Sequence, residues 1–247
     1  MQRMALMGDI HGNLPALEAV LADIDRREIP SIVCLGDLAG KGPSGARVVD
    51  ICRERCEVTI LGNWDQALAT REGKAAFQWH RRDLGEERLA WLGDLPFAYD
   101  FLLSGQRVRL VHASPQGVNH RVYQAGSIEP MRAMFEPTAL TDDTFVPDVV
   151  GYADIHTPFV RTFRDQTLFN VGSVGNPLDT PLACYVVLEG DVDADSPAPW
   201  GLQTVRVPYD IERAVAEARE AGSPHANAWE FELTTARHRG KMPRHAW

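Results

Sequence analysis

The stretch Met7–Asn13, MGDIHGN, places a carboxylate and an imidazole two residues apart between glycines. It follows a short apolar run that predicts a buried strand, and it precedes a segment with the apolar spacing of a helix. Asp9 and His11 therefore stand at the end of a strand, between Gly8 and Gly12, which allow the backbone to turn tightly. A carboxylate and an imidazole at such a place indicate a ligand site, because open α/β sheets bind ligands at the carboxyl ends of their strands.

The strand-then-helix rhythm repeats beyond this stretch. The runs SIVCLGD and EVTILGN predict two further strands, each separated from the strand before it by a helix. Residues 66–95 have helical periodicity, and FAYDFLLSGQRVRLVHAS predicts two strands joined at Ser104 and Gly105. Later apolar runs predict more strands. This order of elements favours an α/β fold.

Residues 1–247 are expected to form a single domain with two peripheral parts. Residues 116–147 have no clean period and are expected to form a surface excursion, either a lid over a site or a partner surface. A helix is predicted over about 210–220. The basic end of the chain, ARHRGKMPRHAW, is interpreted as a frayed tail, so that a C-terminal helix and tail occupy about 210–247.

The composition is that of an acidic globular protein rather than a disordered one, with 45% hydrophobic and 24% charged residues. The formal net charge of -9 repels nucleic-acid backbones, so general nucleic-acid binding is not expected. A small phosphorylated substrate is still compatible with this charge, because a bound metal ion reverses its sign locally.

The cysteines and the lack of long apolar runs favour a cytoplasmic protein. Cys52 and Cys56 lie four residues apart on a predicted helix, but no second cysteine pair completes a zinc site, so the pattern fits a reducing compartment. No run reaches the ~18 apolar residues of a membrane span, and the first residues lack the pattern of a secretion signal, so no membrane partner is expected. The oligomeric state stays open, with a homo-oligomer among the alternatives.

Polar side chains that suit metal binding follow several of the predicted strands. Taken alone, an Asp at a strand end is commonly part of a turn and a buried His is commonly just hydrogen-bonded, but together they form a mixed oxygen and nitrogen set. Such a set suits Mn, Fe, Co, Ni or Zn, and it is large enough for two ions that share a bridge, activate a water and hold a phosphoryl oxygen. Each D-x-H pair is predicted to lie on one side of an extended segment. The residues are Asp9, His11, Asp37, Asn63, His112, Asp154 and His156.

The motifs GDIHGN, GDLAGKGP, GNWD, VHASP and the DIH of ADIHTPF resemble those of the calcineurin-like metallophosphoesterase superfamily. Their order and spacing are similar to those of its YfcE-like phosphodiesterase and phosphatase group, and the segment FNVGSVGNP is similar to a further motif of that group. The resemblance covers about residues 4–190. It implies a four-layer αββα sandwich of two mixed β-sheets flanked by helices. It also implies hydrolysis of phosphodiesters or small phosphomonoesters, nucleotides included, through a hydroxide that bridges two metal ions.

The same resemblance assigns roles to the residues. The expected cofactor is a pair of divalent ions, with manganese favoured and Fe, Ni, Co or Zn as alternatives. Asp37 is expected to bridge the two ions, and Asn63 and Lys41 to bind the phosphate of the substrate. The ligands expected for the first ion are Asp9, His11 and His156, and those for the second are Asn63, His112 and Asp154.

Two positions depart from the pattern of the family. Trp64 stands where many members have a His that protonates the leaving group, and Trp cannot donate a proton at neutral pH. Its ring is expected either to bind a flat nucleobase or aryl group or to form a packed wall, and Asp65 is expected to orient the site. His80 and His120 are alternative acids, although each alone is expected at the surface. Substrates with good leaving groups, such as aryl esters and phosphoanhydrides, are expected to suffer least from the missing acid.

The second departure is Asp154, where the family has His, with Ala153 in the place of a Gly. A carboxylate is a harder, charged ligand, so it either shifts the second ion toward Mn- or Mg-like preferences or weakens or empties that site. Lys41 is expected either to contact phosphate or to be a solvated loop residue. Arg121 and Asn119 are weaker candidates for phosphate contact.

Three rival interpretations stay open. The first is a degenerate member that binds a nucleotide or a metal without efficient turnover, which the changes at Trp64 and Asp154 favour. The second is a protein phosphatase, against which the absence of the loop motif GDxVDRG counts. The third is a structural scaffold in which the motifs are remnants.

Overall fold

Two five-stranded sheets form the centre of the computed structural model, which describes residues 1–70 and 75–242. The strands are β1 (Gln2–Met7), β2 (Ser31–Cys34), β3 (Val58–Thr59), β4 (Ala98–Leu103), β5 (Gln106–Val111), β6 (Val149–Tyr152), β7 (Phe159–Phe163), β8 (Gln166–Asn170), β9 (Ala183–Gly190) and β10 (Gly201–Val207). The helices are α1 (Leu14–Arg26), α2 (Gly45–Arg55), α3 (Asn63–Thr70), α4 (Ala75–Gly93), α5 (Glu129–Arg132), α6 (Ile211–Glu220) and α7 (Ala226–Thr235).

Both sheets are mixed, with parallel strands at their centres. In the first sheet the order is β10-β9-β1-β2-β3, and β1, β2 and β3 run parallel. In the second sheet the order is β4-β5-β6-β8-β7, and β5, β6 and β8 run parallel. Because the carboxyl ends of parallel strands share one edge, each sheet brings the loops that follow its central strands to the same edge.

Apolar side chains fill the space between the two sheets and cover their outer faces. Leu6 and Val186 of the first sheet and Leu110 and Phe169 of the second belong to the core between the sheets. Helices α1, α2 and α4 pack on the outer face of the first sheet. The outer face of the second sheet is covered by the segment around α5. The expected four-layer sandwich is confirmed, with a fourth layer built largely from the excursion at 116–147.

Local sequence signals set several element boundaries. The side chain of Asn13 accepts a hydrogen bond from the backbone N–H of Ala16 at 3.2 Å, and Pro15 occupies the first turn of α1, so the predicted helix start is confirmed. Ser104 and Gly105 have φ angles of 51° and 78°, which is the twist that a tight turn between β4 and β5 requires. The predicted hairpin is therefore confirmed as well.

The end of the chain differs from the predicted frayed tail. Residues 226–235 form α7, in which Trp229 is fully buried and Glu232 occupies a second core position. A charged residue on the buried face obscures the apolar spacing by which sequence identifies a helix, and that is why α7 was not predicted. Residues 236–242 continue beside α7, whereas 243–247 of the predicted tail and 71–74 of the predicted 66–95 helix lie outside the described residues.

Within residues 1–70 and 75–242, no helix combines the length and the apolar character needed to cross a membrane.

The core between the sheets predicts the effect of truncating Leu110, whose side chain is fully buried. Leu110→Ala leaves a cavity that neighbouring strands cannot close, so we expect the free energy of unfolding to fall by about 2–5 kcal/mol. Urea denaturation measures this change. Val160→Ala on the exposed face of β7 is the control, with an expected loss below about 1 kcal/mol. Equal losses in the two variants would contradict this assignment of the core.

Candidate metal centre

The tripeptide Asp-Ile-His occurs twice, in each case beginning two residues after the last residue of a strand, β1 or β6. Asp9 and His11 have φ angles of 51° and 52°, and Asp154 and His156 have 59° and 58°. The prediction that each pair lies on an extended segment is therefore wrong, because both loops are left-handed at the Asp and at the His. Few residues other than Gly adopt this conformation, and a rigid surrounding is needed to hold it.

The first three predicted ligands converge on one point. Nε2 of His11 lies 3.3 Å from Nε2 of His156, and Oδ1 of Asp9 lies 3.8 Å and 3.4 Å from these two atoms. An ion with bonds of about 2.1 Å holds neighbouring ligand atoms roughly 3.0–3.5 Å apart. The triangle of Asp9, His11 and His156 therefore has the size of the ligand shell of a transition-metal ion.

Asp37 lies between this triangle and a further imidazole. Its Oδ2 is 3.6 Å from Nε2 of His11, and its Oδ1 is 3.5 Å from Nε2 of His112. The backbone N–H of Trp64 donates to the same Oδ1 at 2.7 Å. The two oxygens of one carboxylate thus face different histidines, which is the arrangement that a bridging ligand needs.

Backbone carbonyls orient two of the imidazoles. Nδ1 of His156 lies 2.5 Å from the carbonyl oxygen of Asn176, and Nδ1 of His112 lies 2.6 Å from that of Leu35. Burial lowers the pKa of His112, but the charges of Asp37, Asp9 and Asp154 prevail and raise it to about 9, so a metal ion would displace a proton from its Nε2. A carbonyl oxygen only accepts, so each Nδ1 carries a proton and each Nε2 faces the cluster. This is the tautomer that binds a metal through Nε2.

The cluster has polar atoms that the described residues leave without partners. Both carboxylate oxygens of Asp9 and Nε2 of His112 are buried without a hydrogen bond from the described part of the chain. Each buried unpaired group costs about 1–3 kcal/mol. Burial raises the pKa of Asp9, raises that of Asp37 to about 7, and lowers those of His11 and His156. A divalent cation would satisfy these atoms, lower the pKa of both carboxyl groups and keep the two imidazoles neutral, so the residues fit a metal ion.

Asp154 and Asn63 are close to the cluster but bind other groups. Nε of Arg121 donates to the two oxygens of Asp154 at 3.1 Å and 2.9 Å, and Nδ2 of Asn63 donates to Oδ1 at 2.7 Å. The same Oδ1 is 3.9 Å from Nε2 of His112. All three predicted ligands of the second ion are therefore neighbours, while their coordination of an ion stays a prediction.

Asp65 lies beneath the loop that carries Asp37. Its carboxylate accepts hydrogen bonds from the backbone N–H groups of Asp37 at 2.7 Å, Leu38 at 3.0 Å and Gly62 at 3.0 Å. Burial raises its pKa to about 6, although these hydrogen bonds oppose the rise. Its position allows Asp65 to hold Asp37 in place rather than to touch a substrate.

Trp64 forms a packed wall beside the cluster. Its ring stacks on Phe77 with centroids 5.3 Å apart and planes at 2°, and the ring of His11 meets it edge-on at 5.9 Å. Gly40, with φ of +115°, lies so close that an added Cβ would overlap the indole. Of the two alternatives for Trp64, these contacts favour the wall.

The histidines proposed as substitute acids lie elsewhere. His80 is buried beside Trp79, contrary to the expected surface position, and burial lowers its pKa to about 4. His120 is exposed as expected and is hydrogen-bonded to Ser114 at 2.9 Å. Asn119 is exposed and lines a different groove.

An open recess of about 370 Å³ adjoins the cluster. Lys41 is buried in its wall, with Nζ 2.5 Å from Oδ1 of Asn176, so the alternative of a solvated loop lysine is wrong. Two recess residues, His238 and Arg239, were not anticipated from the sequence. The run HRGK stands out as basic in an acidic chain, and that is the signal that could have found them. The side chains that line the recess include Lys41, Trp64, Arg121, Tyr123, His156, His238 and Arg239.

Comparison with known proteins agrees with this geometry. The sequence profile of the calcineurin-like phosphoesterase superfamily domain matches residues 2–193. The chain belongs to this superfamily. A crystal structure of a metallophosphoesterase from Sphaerobacter thermophilus is similar, with 25% sequence identity and a TM-score of 0.76. The match covers 95% of this chain and 99% of the Sphaerobacter chain. Calcineurin-like phosphoesterases are metal-dependent, and this chain supplies candidate ligand groups.

Two curated relatives of this chain differ in how much of it they match. An uncharacterised protein of Methanocaldococcus jannaschii is 30% identical over 241 residues, which cover 85% of this chain and 89% of the relative. A symmetrical bis(5'-nucleosyl)-tetraphosphatase of Paracidovorax citrulli is 32% identical over 120 residues, or 43% of this chain and 42% of the relative. The first is similar along nearly its whole length and the second only in part.

The contact between Gly40 and Trp64 predicts a local sensitivity. Gly40→Ala strains a left-handed backbone and also drives a methyl group into the indole, so we expect a loss of about 2–5 kcal/mol in the free energy of unfolding. Gly126→Ala is the matched control, because Gly126 has φ of +113° and nothing within 4 Å of an added Cβ. Its expected loss is about 1–2 kcal/mol, from strain alone. Chemical denaturation compares the two, and indistinguishable losses would refute the role of the close contact.

Proposed function

We propose that this protein is a metal-dependent hydrolase of phosphodiesters or small phosphomonoesters, with nucleotides among the candidate substrates. The observation that carries the proposal is the convergence of Asp9, His11 and His156, with Asp37 reaching from that triangle to His112. The cationic recess beside it supplies a place for a phosphorylated substrate.

The proposed cofactor is a pair of divalent ions, with manganese preferred over Fe, Co, Ni or Zn. Asp37 would be a ligand of both ions, and Asp154 would bind the second ion while its hydrogen bond from Arg121 orients it, as ligating carboxylates commonly require. When bound, such ions supply Lewis acidity and lower the pKa of a coordinated water. The proposed ligands are Asp9, His11 and His156 for the first ion and Asn63, His112 and Asp154 for the second.

Residues of the chain position the phosphate. Lys41 binds a phosphoryl oxygen as a point charge, and the amide of Asn63 stabilises the charge that develops on the oxygens around phosphorus. Asp65 acts at a distance from the substrate, because its three hydrogen bonds fix the loop of Asp37 and the adjoining turn. Lys41 and Asn63 thereby orient the substrate, while Asp65 positions the carboxylate of Asp37.

The substrate range follows from the leaving group. Trp64 cannot act as a general acid at neutral pH, and its ring packs against Phe77 and His11. General acid catalysis typically raises the rate by ~10²–10⁴-fold, so substrates whose leaving group departs without protonation are favoured. Aryl esters and phosphoanhydrides meet this condition. The partial likeness to a bis(5'-nucleosyl)-tetraphosphatase supports nucleotides as candidates.

A second candidate function is ligand binding without efficient turnover. The ion pair between Arg121 and Asp154 favours it, because a guanidinium already neutralises one ligand of the second ion. For either function we place the protein in the cytoplasm as a binder of small phosphorylated molecules, since all four cysteines are free.

Metal content and turnover together test the proposal. We expect elemental analysis of manganese-loaded, desalted protein to give about two ions per chain, and we expect hydrolysis of bis(4-nitrophenyl) phosphate to stop when a chelator removes them. Asp37→Asn removes the shared ligand, so metal content should fall and the rate should drop at least about 100-fold. Asp148→Asn is the control, because Asp148 forms an ion pair with Arg107 outside the cluster, and this variant should keep its metal content and its rate of hydrolysis.

The outcomes separate the two candidate functions. Two bound ions with no hydrolysis of aryl esters, nucleotides or phosphoanhydrides would support the binding protein. Hydrolysis that survives both the chelator and Asp37→Asn would overturn the metal-dependent mechanism.

A further inference from the structure

Three cationic side chains from distant parts of the chain meet in the recess beside the metal cluster. Lys41 comes from the loop after β2, Arg121 from the excursion at 116–147, and Arg239 from the segment after α7. In a chain of net charge -9, such convergence runs against the average charge of the surface. The recess, of about 370 Å³, is within the range of sites for small ligands and is larger than one phosphate group needs.

Buried carboxylates fix the two guanidinium groups. Both hydrogen bonds from Arg121 to Asp154 leave from Nε, and the side chain of Arg121 is 50% exposed while that of Asp154 is 1% exposed. Glu232 is fully buried and accepts from Nε of Arg239 at 2.9 Å and from one terminal nitrogen at 2.8 Å. Each pairing therefore leaves terminal N–H groups outside it. Arginines held in this way are pre-organised for phosphate.

The C-terminal segment is also linked to Lys41. Nζ of Lys41 contacts Oδ1 of Asn176 at 2.5 Å, and Nδ2 of Asn176 contacts Oε2 of Glu232 at 3.3 Å. Burial raises the pKa of Glu232, but the hydrogen bonds from Arg239 and the charge of Lys41 prevail and hold it at about 2. Glu232 thus stays ionised near neutral pH, and it holds Arg239 directly and Lys41 through Asn176.

We propose that Arg121 and Arg239 form a subsite for a second phosphate group, next to the phosphate whose phosphorus is attacked. The preferred substrate is then a phosphoanhydride, such as a nucleotide with adjacent phosphates, and this inference rests on the proposed function. Hydrolysis forms a P–O bond between water and the attacked phosphorus and breaks the P–O bond to the bridging oxygen of the anhydride. The other phosphate leaves as an anion with that oxygen, and the proton displaced from water passes to solvent. Such a leaving group needs no proton from position 64, which agrees with the presence of Trp64.

Binding of two inorganic probes tests the subsite. We would titrate metal-loaded, desalted protein with inorganic phosphate and with methylenediphosphonate, which has two phosphonate groups and cannot be hydrolysed. The wild type should bind the diphosphonate about tenfold or more tighter than phosphate. Arg121→Gln and Arg239→Gln should each remove most of this preference, while the affinity for phosphate falls far less. Arg107→Gln, which breaks an equivalent bidentate pair with Asp148 outside the recess, should keep the preference.

Two further measurements keep the result interpretable. Arg239→Lys preserves the charge beside Glu232, and melting curves report whether the variant is folded. A folded variant with a reduced preference for the diphosphonate would show that the geometry of the guanidinium matters and that the effect is not a loss of folding. Equal affinities for the two probes in the wild type, or equal weakening of both probes in the variants, would overturn the subsite.

Hydrolysis of bis(4-nitrophenyl) phosphate, measured in parallel, reports on the proposed function separately. Turnover without a preference for the diphosphonate would overturn the subsite and leave the phosphoesterase standing. A preference for the diphosphonate without any turnover would support the subsite and count against the phosphoesterase.

Discussion

The burial of three carboxylates and three imidazoles at one point is the constraint on which the rest of the structure depends. Like charges and lone pairs repel at this distance in a low-dielectric interior, so the fold must hold them together until a cation compensates. The backbone does so by bonding the loops to each other. The N–H of Asp9 donates to the carbonyl of Gly36 at 2.9 Å, that of His11 to Asp37 at 2.9 Å, and that of Gly175 to Asp9 at 3.0 Å. The strained left-handed residues persist because these loops lie on two packed sheets and share their hydrogen bonds.

Sequence alone predicts this site as far as its residues obey local rules. Strands and their ends can be predicted from apolar runs, so the sequence alone places Asp9, Asp37 and His112 at strand ends. The left-handed conformation of both Asp-Ile-His loops could not be predicted, because it is imposed by contacts between loops far apart in sequence. The pairing of Arg121 with Asp154 is equally non-local, since it joins the excursion to the end of β6 across 33 residues.

The C-terminal segment illustrates a different limit. Its helix buries Glu232 where an apolar residue would be expected, and only the partners of Glu232 explain why that is tolerated. Arg239 and Asn176 satisfy the carboxylate, and Lys41 adds a favourable charge. A buried acid stabilised by two cations and an amide is a site feature rather than a core feature. His238 and Arg239 of the basic run therefore belong to the recess, although composition alone made the run resemble a frayed tail.

The exchange of a family histidine for Asp154 acquires a physical meaning from its partner. A carboxylate in place of a neutral imidazole would add a negative charge to a cluster that already holds Asp9 and Asp37, and this would repel a phosphorylated substrate. Arg121 cancels that charge through Nε and leaves its terminal nitrogens at the recess. The Asp–Arg pair is thus neutral as a whole, like the imidazole, but it presents its positive end to the recess. Because the guanidinium lies on the solvent side of the pair, it makes the potential of the recess more positive while the net charge of the pair stays zero.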